Sequence, residues 1–334
     1  MGPRACAIRL ALIAAAACAV AIASALLGPT QLSWSDILPW FNSAADAPAH
    51  LNLFWDARMP RTALAACAGA GLAVGGVIFQ ALFRNPLATP FTLGVASGAS
   101  LGAAIGTWLG LRAVSASAFG GALLAMSLVY AMSRLRAGRD MTRLLLAGVC
   151  VAYMCSAGVM LAMALLGQVV TDRVVIWMMG SLSLWRDAAT TAALQILVTL
   201  VVVLGFVAWS HRAIDLLAMS DDVAATRGVH VGRVTWAAFA LVGVLTAVIV
   251  ANCGPIGFVG LMIPHIARVF IGPRVLTLAI GSALLGGAYL AVCDGIVRSF
   301  SIYEPPVGVV TNILGAAFFF YLLATRDVAF TDGR

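Results

Sequence analysis

Residues 190–209 read TTAALQILVTLVVVLGFVAW, twenty residues without a charge. An α-helix needs about 20 apolar residues to cross the hydrocarbon core of a bilayer, so this stretch has the length and composition of a membrane span. Charge returns directly after it, at Arg212 and Asp215, and the same alternation runs along the whole chain. Apolar segments fall roughly at 8–27, 62–82, 92–111, 117–133, 143–166, 190–209, 234–252, 258–270, 276–297 and 306–324. Hydrophobic residues make up 62% of the 334 and charged residues only 10%, where a soluble domain carries about 25% charged. The expected fold class is therefore all-α: a polytopic membrane protein with about ten transmembrane helices. The eighth segment is short and contains Pro264. A broken segment at membrane depth is tolerated only against protein or a water-filled cavity. One transmembrane domain spans 1–334, with a single long inner loop at 211–233.

The basic residues are all arginine: 20 Arg and no Lys. A phosphate-binding loop of the form GxxxxGK[ST] needs its lysine, as does a Schiff-base enzyme, so neither chemistry belongs to this chain. The net charge of +7 is scattered, without the basic stripe or aromatic platform of a nucleic-acid binder. Seven cysteines at 6, 18, 67, 150, 155, 253 and 293 include no CxxC pair and read as small hydrophobes. His50, His211, His230 and His265 fit no metal-ligand spacing. Met154, Met160, Met163, Met178 and Met179 are open to a soft-metal reading, but adaptable packing accounts for them. No metal, cofactor or catalytic residue is expected. Arg4 and Arg9 precede an apolar run ending in Ala23-Ser24-Ala25, as in a cleavable signal peptide; the run is long enough to span and is read as a retained first helix.

Orientation follows from the arginines. With the N-terminus in the cytoplasm and every segment crossing, fourteen arginines fall inside and six outside: Arg58, Arg61, Arg112, Arg173, Arg186 and Arg298. Both termini are then cytoplasmic. The outer loop 28–61 carries Trp34, Trp40 and Trp55, as expected at a membrane interface. The outer loop 167–189 has an amphipathic look. In the inner loop, Asp221-Asp222-Val223-Ala224-Ala225-Thr226-Arg227-Gly228 reads as a short helix. Ser220 is its N-cap, acids fill its first turn, and Gly228 stops it. Such a helix is either a seat for a partner protein or a surface connector. Among thirteen acids only Asp294 lies away from a loop, and Arg298 at i+4 suits a helix-end ion pair.

Two stretches differ from lipid-facing helix: Arg84-Asn85-Pro86-Leu87-Ala88-Thr89-Pro90, and Asn252 to Arg268 with three glycines and two prolines. These, together with Arg58-Met59-Pro60-Arg61, Gly69, Gly71, Gly75-Gly76, Gln80, Gly94, Ser97-Gly98, Trp177-Met178-Met179-Gly180-Ser181, Asp294, Pro306-Val307-Gly308 and Gly315, resemble the permease subunit of binding-protein-dependent ABC importers for iron-siderophores, haem and cobalamin. Thr89-Pro90 departs from the acidic residue the family often places before that proline. The resemblance implies a ten-span inner-membrane permease that pairs with a second copy or a paralogue. It also implies two separate ATP-binding subunits and a periplasmic substrate-binding protein. It places binding-protein docking at Arg58, Arg61 and Arg298, where headgroup snorkelling is the plainer reading. It makes 211–233 a coupling loop, with Asp221, Asp222, Ala224, Ala225, Arg227 and Gly228 as the seat on the ATPase. Asn85, Leu87 and Thr142 become the inner gate. Ferric siderophore is the first expected ligand, and haem or cobalamin the alternatives. A proton- or sodium-coupled carrier is the rival from another class, weakened by the scarcity of membrane acids.

Overall fold

The computed structural model describes residues 3–28, 54–111, 113–134, 141–300 and 304–325. Trp34, Trp40, His50, Arg112, Arg136, Arg139, Arg326 and Arg334 lie outside the described residues. The described residues form twelve α-helices and no strand. In chain order they are α1 Pro3–Leu26, α2 Met59–Phe83, α3 Val95–Trp108, α4 Val114–Arg134, α5 Met141–Leu166 and α6 Gln168–Met178. There follow α7 Arg186–Met219, α8 Asp221–Thr226, α9 Val231–Cys253, α10 Val259–Ile271, α11 Val275–Ser299 and α12 Val307–Thr325. Eight of them are long and apolar enough to cross a membrane. Every apolar segment of the sequence forms a helix. Two of these helices, rather than one, are short: α10 with 13 residues and α3 with 14. A 3-10 turn begun by Pro90 uses up the start of the third segment, so α3 begins only after Gly94.

Helix α2 is the centre of the bundle. Leu64, Ala68, Leu72, Val77, Ile78 and Phe79, on all sides of it, are at most 2% exposed. It packs against α11, α7, α10 and α9. Without water to drive association between helices in lipid, small residues allow the close approach. A Cβ on Gly69 would stand 2.2 Å from the Gly286 carbonyl oxygen of α11, and one on Gly76 only 1.8 Å from that of Gly260 in α10. The spacing Gly98, Gly102, Gly106 does the same for α3 against Ser117 and Gly121 of α4.

Helix α7 runs on beyond its apolar stretch to 34 residues, about 50 Å at 1.5 Å per residue. The nine residues 211–219, expected as loop, are its last turns. Ile214 and Leu217 are buried, so an apolar face continues where the charges begin. Asp215 on this extension accepts a hydrogen bond from the Val275 backbone N–H at 2.9 Å and so caps α11.

The short helix α10 shows why Gln80 is buried. Pro264 has no N–H and leaves the Gly260 carbonyl without its helical donor. The Gln80 amide, 4% exposed, donates instead to the Gly260 and Leu261 carbonyls, each at 3.4 Å. Arg268 closes the arrangement by donating to Gln80 Oε1 at 3.1 Å. The helix starts from Phe258 in left-handed backbone (φ +65°). Such a conformation is uncommon for a bulky residue, so the break is held by its surroundings.

Candidate functional site

Two separate groups of residues sit at the two ends of the bundle. At the expected outer end, α2 and α11 bring Arg61, Asp294 and Arg298 together, and Glu304, just before α12, adds a fourth charge. Asp294 is fully buried. Its Oδ1 accepts from Arg61 Nε at 2.8 Å, and its Oδ2 lies 3.0 Å from Arg298 Nε. Arg298 also donates to Thr62 Oγ1 at 3.1 Å and to the Ser24 carbonyl at 3.2 Å. Arg61 reaches on to Glu304 Oε2 at 2.8 Å, which accepts from Ser183 Oγ at 3.3 Å as well. Arg58 donates to the Leu26 carbonyl at 2.9 Å, and Arg186 pairs with Asp56. A buried ionisable residue in a membrane protein must find partners inside, and this cluster supplies them.

The three arginines expected at a docking rim are thus placed differently from an open cationic surface. Arg58 and Arg298 are each 4% exposed. The Arg61 side chain is 12% exposed and already holds two carboxylates. The Asp294–Arg298 pair expected from i,i+4 spacing is present, and it extends to Arg61 and Glu304, which no local spacing links to it. The signal in the sequence is that Arg61 borders one apolar run and Asp294 lies within another, where a charge needs an opposite partner.

Just below this cluster the motif stretches meet. The Ser181 N–H donates to the Cys253 carbonyl at 2.8 Å, and the Gly308 N–H to that of Gly180 at 3.4 Å. Gly180 (φ +71°) and Gly254 (φ +68°) adopt backbone that favours glycine, and each turn lies against the other's carbonyls. Residues 177–181, 253–257 and 306–308 therefore form one junction.

At the expected inner end, Arg84 caps α2 in left-handed backbone (φ +50°). Asn85 follows and folds the turn onto itself. Its Oδ1 accepts from the Leu87 N–H at 2.9 Å, and its carbonyl accepts from the Ala88 N–H at 3.1 Å. Leu87 is 45% exposed. Thr142 belongs to the first turn of α5, with its side chain outside the described residues. Helix α8 begins as expected: Ser220 Oγ accepts from the Val223 N–H at 3.0 Å. Gly228 (φ +77°) ends it. Ala224 is fully buried against the chain itself, whereas Asp222, Val223, Ala225 and Arg227 are exposed. Arg84 Nη2 lies 3.4 Å from Asp221 Oδ1, so the α2 cap and α8 are linked.

Among the described residues no three His, Cys, Asp or Glu side chains are gathered as metal ligands. Gly98-Ala99-Ser100-Leu101-Gly102 has the GxSxG spacing of a hydrolase elbow. Ser100, however, lies inside α3, is 3% exposed, and donates back to the Ala96 carbonyl at 2.9 Å. It is a packed helix residue. A groove of about 590 Å³ between α4, α7 and α9 carries the pair Asn252 Nδ2 to Gln195 Oε1 at 3.1 Å.

Residues 12–325 match the model of the FecCD transport family. The chain belongs to the FecCD transport family. The cobalamin import system permease protein of Halobacterium salinarum is 39% identical over 81% of this chain and 73% of its own. The probable iron chelatin transport system permease protein of Helicobacter pylori is 36% identical over 81% and 82%. A structure described as an inward-facing conformation of a metal-chelate type ABC transporter superimposes with a TM-score of 0.81 and 27% identity. It covers 95% of this chain and 100% of its own. The FecCD chain is thus the permease of an ABC importer, a multi-pass transport component, and ATP hydrolysis resides on a separate subunit.

Proposed function

We propose that this permease is one half of a dimeric pathway importing a metal chelate across the inner membrane, with both termini cytoplasmic. A second permease copy or paralogue completes the pathway. Two ATP-binding subunits drive it, and a periplasmic binding protein delivers the ligand. The observation that carries this reading is α8. It is a capped six-residue helix between two spans, anchored inward by Ala224 and presenting Asp222, Val223, Ala225 and Arg227 outward. That is a surface shaped for a partner. Asn85, Leu87 and Thr142 are assigned to the inner gate. Ferric siderophore is the first ligand proposed, supported by similarity to the iron chelatin permease; cobalamin is the alternative supported by the other relative, and haem the third.

Docking of the binding protein is assigned to the outer cluster of Arg58, Arg61 and Arg298, of which Arg61, 12% exposed, is the more open. Replacing Arg61 by Gln should weaken binding-protein affinity at low salt, and unchanged affinity would remove the assignment. The coupling surface has a sharper test. Ala225→Arg should leave the fold intact and cut transport by about 30-fold, equal to about 2 kcal/mol for a buried interface position. Ala224→Arg should instead lower the yield of folded permease, since that site faces its own chain. Full uptake with Ala225→Arg would make α8 a connector only.

A further inference from the structure

We infer that the Arg84–Asp221 ion pair transmits movement of α8 to the 85–88 turn, which makes Arg84 a positioning residue for the inner gate; the inference rests on the importer reading above. Three observations converge on it. First, the residue that follows a helix in left-handed backbone is usually glycine, and here it is Arg84 (φ +50°). A residue kept in a costly conformation points to use of its side chain. Second, that side chain reaches Asp221 Oδ1 at 3.4 Å, on the first residue of α8. Third, the next residue in sequence, Asn85, closes the turn that exposes Leu87. Helix α2 behind this turn is wedged by glycine contacts on two sides and has little room to shift. The turn at its end is where displacement of α8 would be taken up. Both partners are about one-third exposed (35% and 34%). Such a pair adds little stability and can break and re-form during a cycle.

The test uses the permease with its ATP-binding subunits in nanodiscs, carrying Leu87→Cys as a reporter. Maleimide labelling at that position is read by peptide mass spectrometry, without nucleotide and with ATP and vanadate. The parent should label at different rates in the two states. Arg84→Gln and Asp221→Asn should each shrink that difference about twofold to fivefold, the range of an exposed ion pair. The double variant should lose no more than the larger single, as residues acting through one contact do. Size-exclusion elution checks that each complex is intact; should Asp221→Asn fail to assemble, Arg84→Gln alone decides. An unaltered response in Arg84→Gln, additive losses in the double variant, or no response in the parent would overturn the inference. Failure of the ATP-binding subunits to bind the parent permease would instead bring down the importer reading itself.

Discussion

Asp294→Ala is expected to destabilise the permease by about 3–5 kcal/mol, the cost of removing one partner from a buried charge pair. Asp294 is fully buried and joins Arg61 on α2 to Arg298 on its own helix α11. Its loss leaves Arg298, 4% exposed, hydrogen-bonded only to neutral groups, the Thr62 hydroxyl and the Ser24 carbonyl, with the like charges of Arg61 and Arg58 close by. Arg61 keeps Glu304 and so suffers less. Two companions sharpen the result. Asp294→Asn retains hydrogen-bonding capacity and should lose less. Asp294→Leu combined with Arg298→Met removes both charges of the inner pair and should be more stable than Asp294→Leu alone, because matched apolar replacement of a buried pair is often neutral. Thermal unfolding of the purified permease in detergent, followed by size-exclusion chromatography, reads all four. An Asp294→Ala protein as stable as the parent would mean the cluster is solvated and structurally idle.

Gly76→Ala is the second large effect. Its Cβ would stand 1.8 Å from the Gly260 carbonyl oxygen and 2.6 Å from the carbonyl carbon. The obstacle is backbone, so no rotamer change relieves it, and α2 must part from α10. Helix α10 has little freedom to yield, being pinned by Gln80 across the break that Pro264 makes. Overpacking costs about 1–3 kcal/mol where side chains can adjust, and this site belongs at or above the top of that range. Gly205→Ala is the control: it lies within α7, exposed, with nothing near an added Cβ. There alanine should be neutral or stabilising by up to about 1 kcal/mol. Equal thermal midpoints for Gly76→Ala and Gly205→Ala would show that the two helices are not in the close contact described.

Much of this was legible in the chain because the governing forces are local. Apolar runs of span length mark the helices, and Ser220 before two acids marks the start of α8. The i,i+4 spacing of Asp294 and Arg298 marks their pair. What stayed hidden depends on packing between distant segments. Nothing near Arg61 in sequence tells that its partner is Asp294, and nothing near Gln80 tells that it repairs the break at Pro264. Ala224 and Ala225 are adjacent and chemically identical, yet one faces the chain and the other the solvent; only the docking of α8 on α7 and α9 separates them. The end of α7 is hidden because its charges suggest a loop, while Ile214 and Leu217 keep an apolar face going. The three arginines read as an outer rim are the plainest lesson. They border the apolar runs, and exposure does not follow from such a position when an acid lies within reach.

This FecCD permease is expected to move its ligand only through a separate ATPase. The direct measurement is uptake into proteoliposomes of ferrichrome, haemin and cyanocobalamin, each with its binding protein. The permease is tested alone and with its ATP-binding subunits, with ATP on the coupling side or with an imposed proton or sodium gradient. The expected result is no ATP hydrolysis and no accumulation by the permease alone, and ATP-dependent accumulation of one of the three ligands by the complex. ATP hydrolysis by the pure permease, or gradient-driven accumulation without the ATPase, would contradict it.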